Sequence, residues 1–396
     1  MKNINNKEEI KDFGIMTFYS AKNYGAALQA FALQEIVSKM GYSSEFLRFH
    51  DSLSNPKAIK KTFKHYFNVL KEIGFGVFVL KKTDAARHGV QQAFERFRKE
   101  FFHIGEESLC SVEDLKQIDK DFKGFICGSD MVWSNIGQNL EAYFLQFANP
   151  VKRISYAPSL TGTEKFSEVL HKNMATYING IRFLSCREKE GVDYVKSATN
   201  RSAELTLDPT LLFTKEQWKT LLSLSSTEPK KHYILCYMFG GTPKSINRNI
   251  RKIAKKKDLD IRYIPMNVSE YKSELESGFS AAYGPGEFVE LFFNADFVVT
   301  NSFHGFLFSL ISEIPFVVVH RDNKSEWKSN EERIFNILRM VEQEERYIDL
   351  NEKFTDEFFT IDYNNVIREK ISEEREQSYN YLSNAVTTVY REQTTA

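Results

Sequence analysis

Residues 294–319, NADFVVTNSFHGFLFSLISEIPFVVV, switch between two structural signals, and their reading decides the fold. Phe297–Thr300 is a short apolar run of the kind that forms a buried strand. A polar loop carrying His304 and Gly305 follows, then an apolar helix over Phe306–Ser312. Pro315 and a second all-apolar strand, Phe316–Val319, close the unit. Strand, helix and parallel strand in that order mark an α/β sheet. A histidine where a strand ends and a helix begins faces exposed amides that favour anions. Open α/β sheets bind their ligands at that edge. A histidine that merely caps the turn fits the same pattern.

Working outward, short apolar strands alternate with amphipathic helices along most of the chain. Strands are expected at Phe13–Tyr19, Ser44–Phe49, Phe122–Cys127, Arg153–Ala157 and Arg182–Cys186, then at Tyr233–Tyr237 and Ile261–Pro265. Helices are expected at Gly25–Met40, Val112–Asp119, Glu164–Asn179, Pro243–Lys256 and Glu287–Asn294. The economical architecture is two doubly wound, Rossmann-like halves facing a cleft. The division runs 1–205, 206–345 and a helical segment 346–396, in which the charged stretch Val366–Tyr390 packs back across the halves.

At 396 residues the chain suits two ordinary domains, and 42% apolar content supports large cores. Lysine and arginine (53) balance aspartate and glutamate (53), so no global charge argues for nucleic acid. Cys110, Cys127, Cys186 and Cys236 form no CxxC pair and have no histidine at ligand spacing, which favours buried thiols over a disulfide or metal site. Met1–Lys11 is polar, without the apolar core of a signal peptide, so a cytoplasmic protein is expected.

Residues 56–102 read as a helical insertion in the first half. Ile59, Phe63, Phe67, Leu70, Phe94, Phe97 and Phe101 fall at helical spacing, and residues 57–99 hold eleven Lys/Arg against three Asp/Glu. Such helices either pack their apolar face on the first half or lie on an anionic membrane surface. Packing is the commoner case.

Four more loops sit at expected strand ends. In Ser20–Ala26, Asn23 can cap the next helix while Gly25 keeps its amides approachable. Cys127–Ser134 combines a Gly-Ser-Asp turn with Trp133, a platform for a sugar face or a filler of the seam between halves. Ser155–Gly162 is a small-residue loop that admits close approach to backbone. Ser185–Gly191 places Arg187 before a helix, where it can grip an anion or pair with a nearby acid.

In their order, these loops resemble the polysaccharide pyruvyl transferase family. The matching stretches are FGIMTFYSAKNYGAALQAFALQ, FERFRKEFFHIG, FICGSDMVWS, RISYAPSLTG, FLSCREKEGVDYV, LTLDPTLLF and ADFVVTNSFHGFLFSLISEIPFVVV, spread over residues 12–345. The resemblance implies a GT-B-like fold and transfer of pyruvate from phosphoenolpyruvate, as a ketal, to a sugar of a cell-surface polysaccharide or its lipid-linked precursor. It implies no cofactor beyond that donor. The partners are then phosphoenolpyruvate and a glycan, with peripheral contact at the inner membrane surface on the second reading of the insertion.

By the same resemblance, His304, Arg187 and Asp130 are the catalytic candidates. Donor binding falls to Arg187, Ser302, His304, Gly305, Arg333 and Arg321, and acceptor binding to Asn23, Tyr24, Gly25, Ser129, Asp130 and Trp133. Better-known members carry an arginine two residues before the histidine, where this chain has Ser302. Another cation must supply that charge. Arg187 is the first choice, with Arg153, Arg321 and Arg333 (in EERIFNIL) behind it. The first loop reads Asn-Tyr-Gly-Ala where some members carry Gly-Asp, and Asp130 and Asp208 are the substitutes by position for that acid, although Asp-Pro also shapes a turn. A nucleotide-sugar glycosyltransferase and a non-catalytic glycan-binding relative are the alternatives.

Overall fold

The computed structural model describes residues 10–50, 77–134, 137–224, 231–320 and 331–395. Its first sheet is fully parallel, in the order β2 (Ser44–Phe46), β1 (Lys11–Met16), β3 (Phe122–Cys127), β4 (Arg153–Ser155). β1 pairs with β3 through Gly14↔Phe125 and Met16↔Cys127. Phe183 bridges to Ile154, leading into β5 (Ser185–Cys186), which pairs with β6 (Glu204–Leu205). The strand expected at Arg182–Cys186 is therefore much shorter. The second sheet, also parallel, runs β11 (Tyr347–Ile348), β10 (Phe316–Val319), β9 (Phe297–Thr300), β7 (Tyr233–Tyr237), β8 (Asp260–Tyr263). β7, β9 and β10 have the bounds read from sequence, because strands covered on both faces are largely apolar runs; β3 has them too, although Lys123 interrupts its apolar run. β11 joins the sheet beyond residue 345, where the sequence reading ended the second half.

Helix α1 (Tyr24–Lys39) is buried nearly all round, as a helix with no polar face must be. It lies between the sheets: Tyr24 stacks on Phe288 at 4.7 Å, and Phe31 meets Trp218 at 5.9 Å. Helix α2 (Val77–Phe101) packs Phe94 against Tyr24 and Phe97 against Phe31. Gln34 fixes its end, donating to the Phe101 carbonyl and accepting from the His103 amide. The later part of the insertion thus packs on α1, while residues 51–76 lie outside the described residues.

Short helices α3 (Val112–Gln117) and α4 (Leu140–Tyr143), with α5 (Glu168–Asn179) and α6 (Lys189–Thr199), complete the first half. α7 (Lys215–Leu221), α8 (Lys244–Lys257), α9 (Val268–Glu276), α10 (Pro285–Phe293), α11 (Phe303–Ser312) and α12 (Glu332–Met340) follow. Helix α13 (Arg368–Thr395) starts against Glu313 and ends against Arg182. On the way Arg375 donates to the Leu211 carbonyl, Ser378 accepts from the Leu207 amide, and Tyr381 donates to the Ser155 carbonyl. It links structure around both sheets. No helix among the described residues is long and apolar enough to cross a membrane.

Candidate functional site

The opening segment differs from its sequence reading at one point that matters. α11 begins at Phe303, not Phe306, so His304 and Gly305 lie in its first turn. Ser302 causes this: its hydroxyl accepts from the Gly305 amide at 3.2 Å and caps the helix early. Asn301 fixes the approach, bonding both the amide and the carbonyl of Phe239 at the end of β7. Gly305 is required because a Cβ there would sit 2.4 Å from the Thr300 hydroxyl. Gly305 therefore packs the helix onto the sheet. Ser302 accepts in the cap and keeps its own O–H to donate.

His304 is 8% exposed and lies where the two sheets' C-terminal edges meet. Its Nδ1 faces the first turn of α1 so closely that a Cβ on Gly25 would stand 1.9 Å away. Its Nε2 lies 3.5 Å from Asp208 Oδ2, an ionic distance rather than an aligned hydrogen bond. Asp208 is fully buried and divides its two oxygens. Oδ1 accepts from the Thr210 amide (3.0 Å) and hydroxyl (2.8 Å), shaping the turn Pro209–Leu212. Oδ2 accepts from Arg187 Nη1 at 2.7 Å and the Ser129 hydroxyl at 3.1 Å, with His304 beyond. Burial opposes the charge on Asp208, but His304, Arg187 and the Thr210 amide together hold its carboxyl well below the usual range.

Arg187 is equally committed. Its Nε donates to Glu188 Oε1 at 3.0 Å, and its side chain is 1% exposed. Burial opposes this charge too, yet Glu188, Asp208 and Asp130 more than offset it, so the guanidinium stays protonated. As the cation replacing the charge missing at Ser302, Arg187 is compromised because two carboxylates already neutralise it. Nη2 nevertheless has no partner, an unusual state for a buried donor. The Phe303 ring lies between two guanidinium groups, with Arg187 at 4.6 Å and Arg333 at 5.0 Å. Arg333, in α12, thus approaches the amide end of α11.

Apart from Asp130, the other candidates fall outside this cluster. Trp133 is a core residue, fully buried, stacked on Phe144 at 4.2 Å and donating to the Tyr143 carbonyl; it offers no sugar platform. Tyr24 is buried between the sheets, with its hydroxyl on the Tyr283 carbonyl, so it joins helices rather than receiving an acceptor. Asn23 is exposed and caps α1 through the Ala26 amide. Asp130 adopts a left-handed backbone at φ 71° and accepts from the Met131 amide, half-buried beside the Arg187 cluster. Arg153 turns inward onto the Ala148 carbonyl and Gln146. Arg321 lies outside the described residues. Cys127, Cys186 and Cys236 are buried thiols, whereas Cys110 is exposed.

A family model for polysaccharide pyruvyl transferases matches residues 23–323. The chain belongs to that family. The transferase has no significant match among curated proteins. Among solved structures it is similar to UDP-GlcNAc 2-epimerase from Neisseria meningitidis bound to UDP-GlcNAc (11% identity, 94% of this chain and 99% of that one, TM-score 0.43). It is also similar to Medicago truncatula UGT71G1 complexed with UDP-glucose (12%, 97% and 98%, 0.43). The heptosyltransferase WaaC of E. coli is a third (11%, 80% and 91%, 0.35). Resemblances this distant bear on neither donor nor acceptor. The GT-B-like arrangement rests on the molecule itself, two parallel sheets meeting at their C-terminal edges around His304.

Sequence reasoning undervalued Asp208 and did not single out Phe303 or Glu188. Asp-Pro-Thr looks like a turn and is one, but the turn uses only one carboxylate oxygen. Phe303 and Glu188 gave no signal beyond their position beside His304 and Arg187.

Proposed function

We propose that this transferase moves pyruvate from phosphoenolpyruvate, as a ketal, onto a sugar of a cell-surface polysaccharide or its lipid-linked precursor. The observation that carries the reading is the placement of His304. A buried imidazole stands between the amide ends of two helices, beside a buried guanidinium whose Nη2 is unpartnered. The leading amides of α1 and α11 and the Arg333 cation suit the donor's phosphate and carboxylate. Imidazole suits the proton transfers.

The reaction needs a proton on the donor's methylene carbon, which makes the adjacent carbon electrophilic. One sugar hydroxyl attacks that carbon, phosphate departs, and a second hydroxyl closes the ketal. Of the two hydroxyl protons, one replaces that given to carbon and the other leaves with phosphate. On this reading His304 shuttles the first.

Incubation with phosphoenolpyruvate and the glycan should release phosphate and add an acid-labile mass of one pyruvyl group. His304→Ala should abolish both while remaining folded. A variant with full turnover removes His304 from the chemistry. A product formed from a nucleotide sugar instead would replace the reading.

A further inference from the structure

We infer that Asp208 is a positioning residue that fixes the tautomer of His304, so that Nδ1 is the nitrogen that exchanges protons. The assignment of the reaction rests on the proposed function above, but the assignment of the tautomer does not.

The Asp208 carboxylate has two separate sets of partners. Were Asp208 only a turn former, Thr210 would satisfy it through Oδ1 alone. Oδ2 points the other way, toward Arg187 Nη1, the Ser129 hydroxyl and His304 Nε2. Two of these partners come from loops at the edge of the first sheet and the third from the second. A carboxylate with no proton can only accept. The imidazole nitrogen beside it therefore carries the hydrogen, and the other nitrogen keeps its lone pair. That other nitrogen, Nδ1, faces Gly25 at the start of α1. At 3.5 Å Nε2 makes no hydrogen bond, so the carboxylate acts through its charge, favouring an N–H and repelling a lone pair on the nitrogen beside it.

The imidazolium gives its Nδ1 proton to the methylene carbon and becomes the neutral Nε2–H form. Nδ1 then takes the proton of the attacking hydroxyl, which restores the imidazolium. Asp208 stays ionised throughout. Arg187 and Ser129 hold the carboxylate, and Glu188 holds the far edge of Arg187. The pair Arg187–Glu188 is on this account scaffolding for a proton-transfer group.

The test uses full-length protein labelled with 15N-histidine, with His304→Gln to identify the signals. Long-range proton–nitrogen correlation should show the neutral ring of His304 protonated at Nε2. A neutral ring protonated at Nδ1 overturns the inference without any variant. Asp208→Asn should then mix or reverse the tautomers and lower kcat about a thousandfold or more, with KM for phosphoenolpyruvate little changed. An Asp208→Asn protein with the wild-type tautomer and wild-type kcat also overturns it. If wild-type protein shows the Nε2–H form but does not turn over phosphoenolpyruvate, the proposed function fails and the positioning role stands.

Discussion

Gly25→Ala is the sharpest perturbation the structure offers, because a single methyl group crosses from one half of the molecule into the site on the other. The new Cβ would stand 1.9 Å from His304 Nδ1, 2.3 Å from Cγ and 2.6 Å from Cε1. Ordinary contact begins at 3.4 Å, so the ring must retreat about 1.5 Å or α1 and α11 must part by as much. Misplacing a reacting group by about 1 Å can cost on the order of a hundredfold in rate, so turnover should fall at least that far. Stability should fall by about 3 kcal/mol at most. Overpacking costs about 1–3 kcal/mol, and alanine in a helix returns up to about 1 kcal/mol relative to glycine. Phosphate release from phosphoenolpyruvate and calorimetric donor binding would be measured beside thermal unfolding. Gly286→Ala is the control, since a Cβ there meets nothing within 4 Å. It should stabilise slightly and leave turnover alone. A folded Gly25→Ala enzyme with wild-type turnover and donor affinity would show that His304 need not occupy the position described.

Three further outcomes are expected. Arg333→Gln should weaken phosphoenolpyruvate binding about tenfold or more, the worth of a charge-assisted hydrogen bond, and unchanged affinity would remove Arg333 from the donor site. Trp133→Phe should cost about 1–3 kcal/mol in urea unfolding, since the Tyr143 carbonyl loses its donor, with acceptor KM unaltered; a raised acceptor KM would restore Trp133 as a sugar platform. Asp208 has a carboxyl held below its usual range, so its stabilising contribution is complete above the unfolded value near pH 4 and is lost as pH falls further. The stability gap between wild type and Asp208→Asn should narrow below about pH 4, and a gap that holds undiminished down to about pH 2 would contradict the ion pairing.

Much of the fold was legible because strands covered on both faces have nowhere to place a polar side chain. Phe297–Thr300, Phe316–Val319 and Tyr233–Tyr237 could scarcely be anything else. The start of α11 was not, since apolar periodicity marks where a helix packs, whereas its first turn is set by the Ser302 cap. Side-chain partners were the least legible. Arg187 at a strand end has the same local sequence whether it meets a ligand or the Asp208 carboxylate, and only the fold brings those residues to 2.7 Å. Trp133 after a Gly-Ser-Asp turn looks exposed until Phe144 is placed against it. Conversely, Gly25 and His304 were both singled out from separate loops 279 positions apart in the numbering, and the structure brings them into contact.

Phosphoenolpyruvate is the ligand proposed for the site around His304. Titration calorimetry of wild type and His304→Ala with phosphoenolpyruvate, and in parallel with uridine diphosphate, tests it most directly. Phosphoenolpyruvate should bind wild type and bind the variant markedly more weakly, with no uridine diphosphate binding that His304→Ala affects. Uridine diphosphate binding that depends on His304, with none by phosphoenolpyruvate, would contradict it.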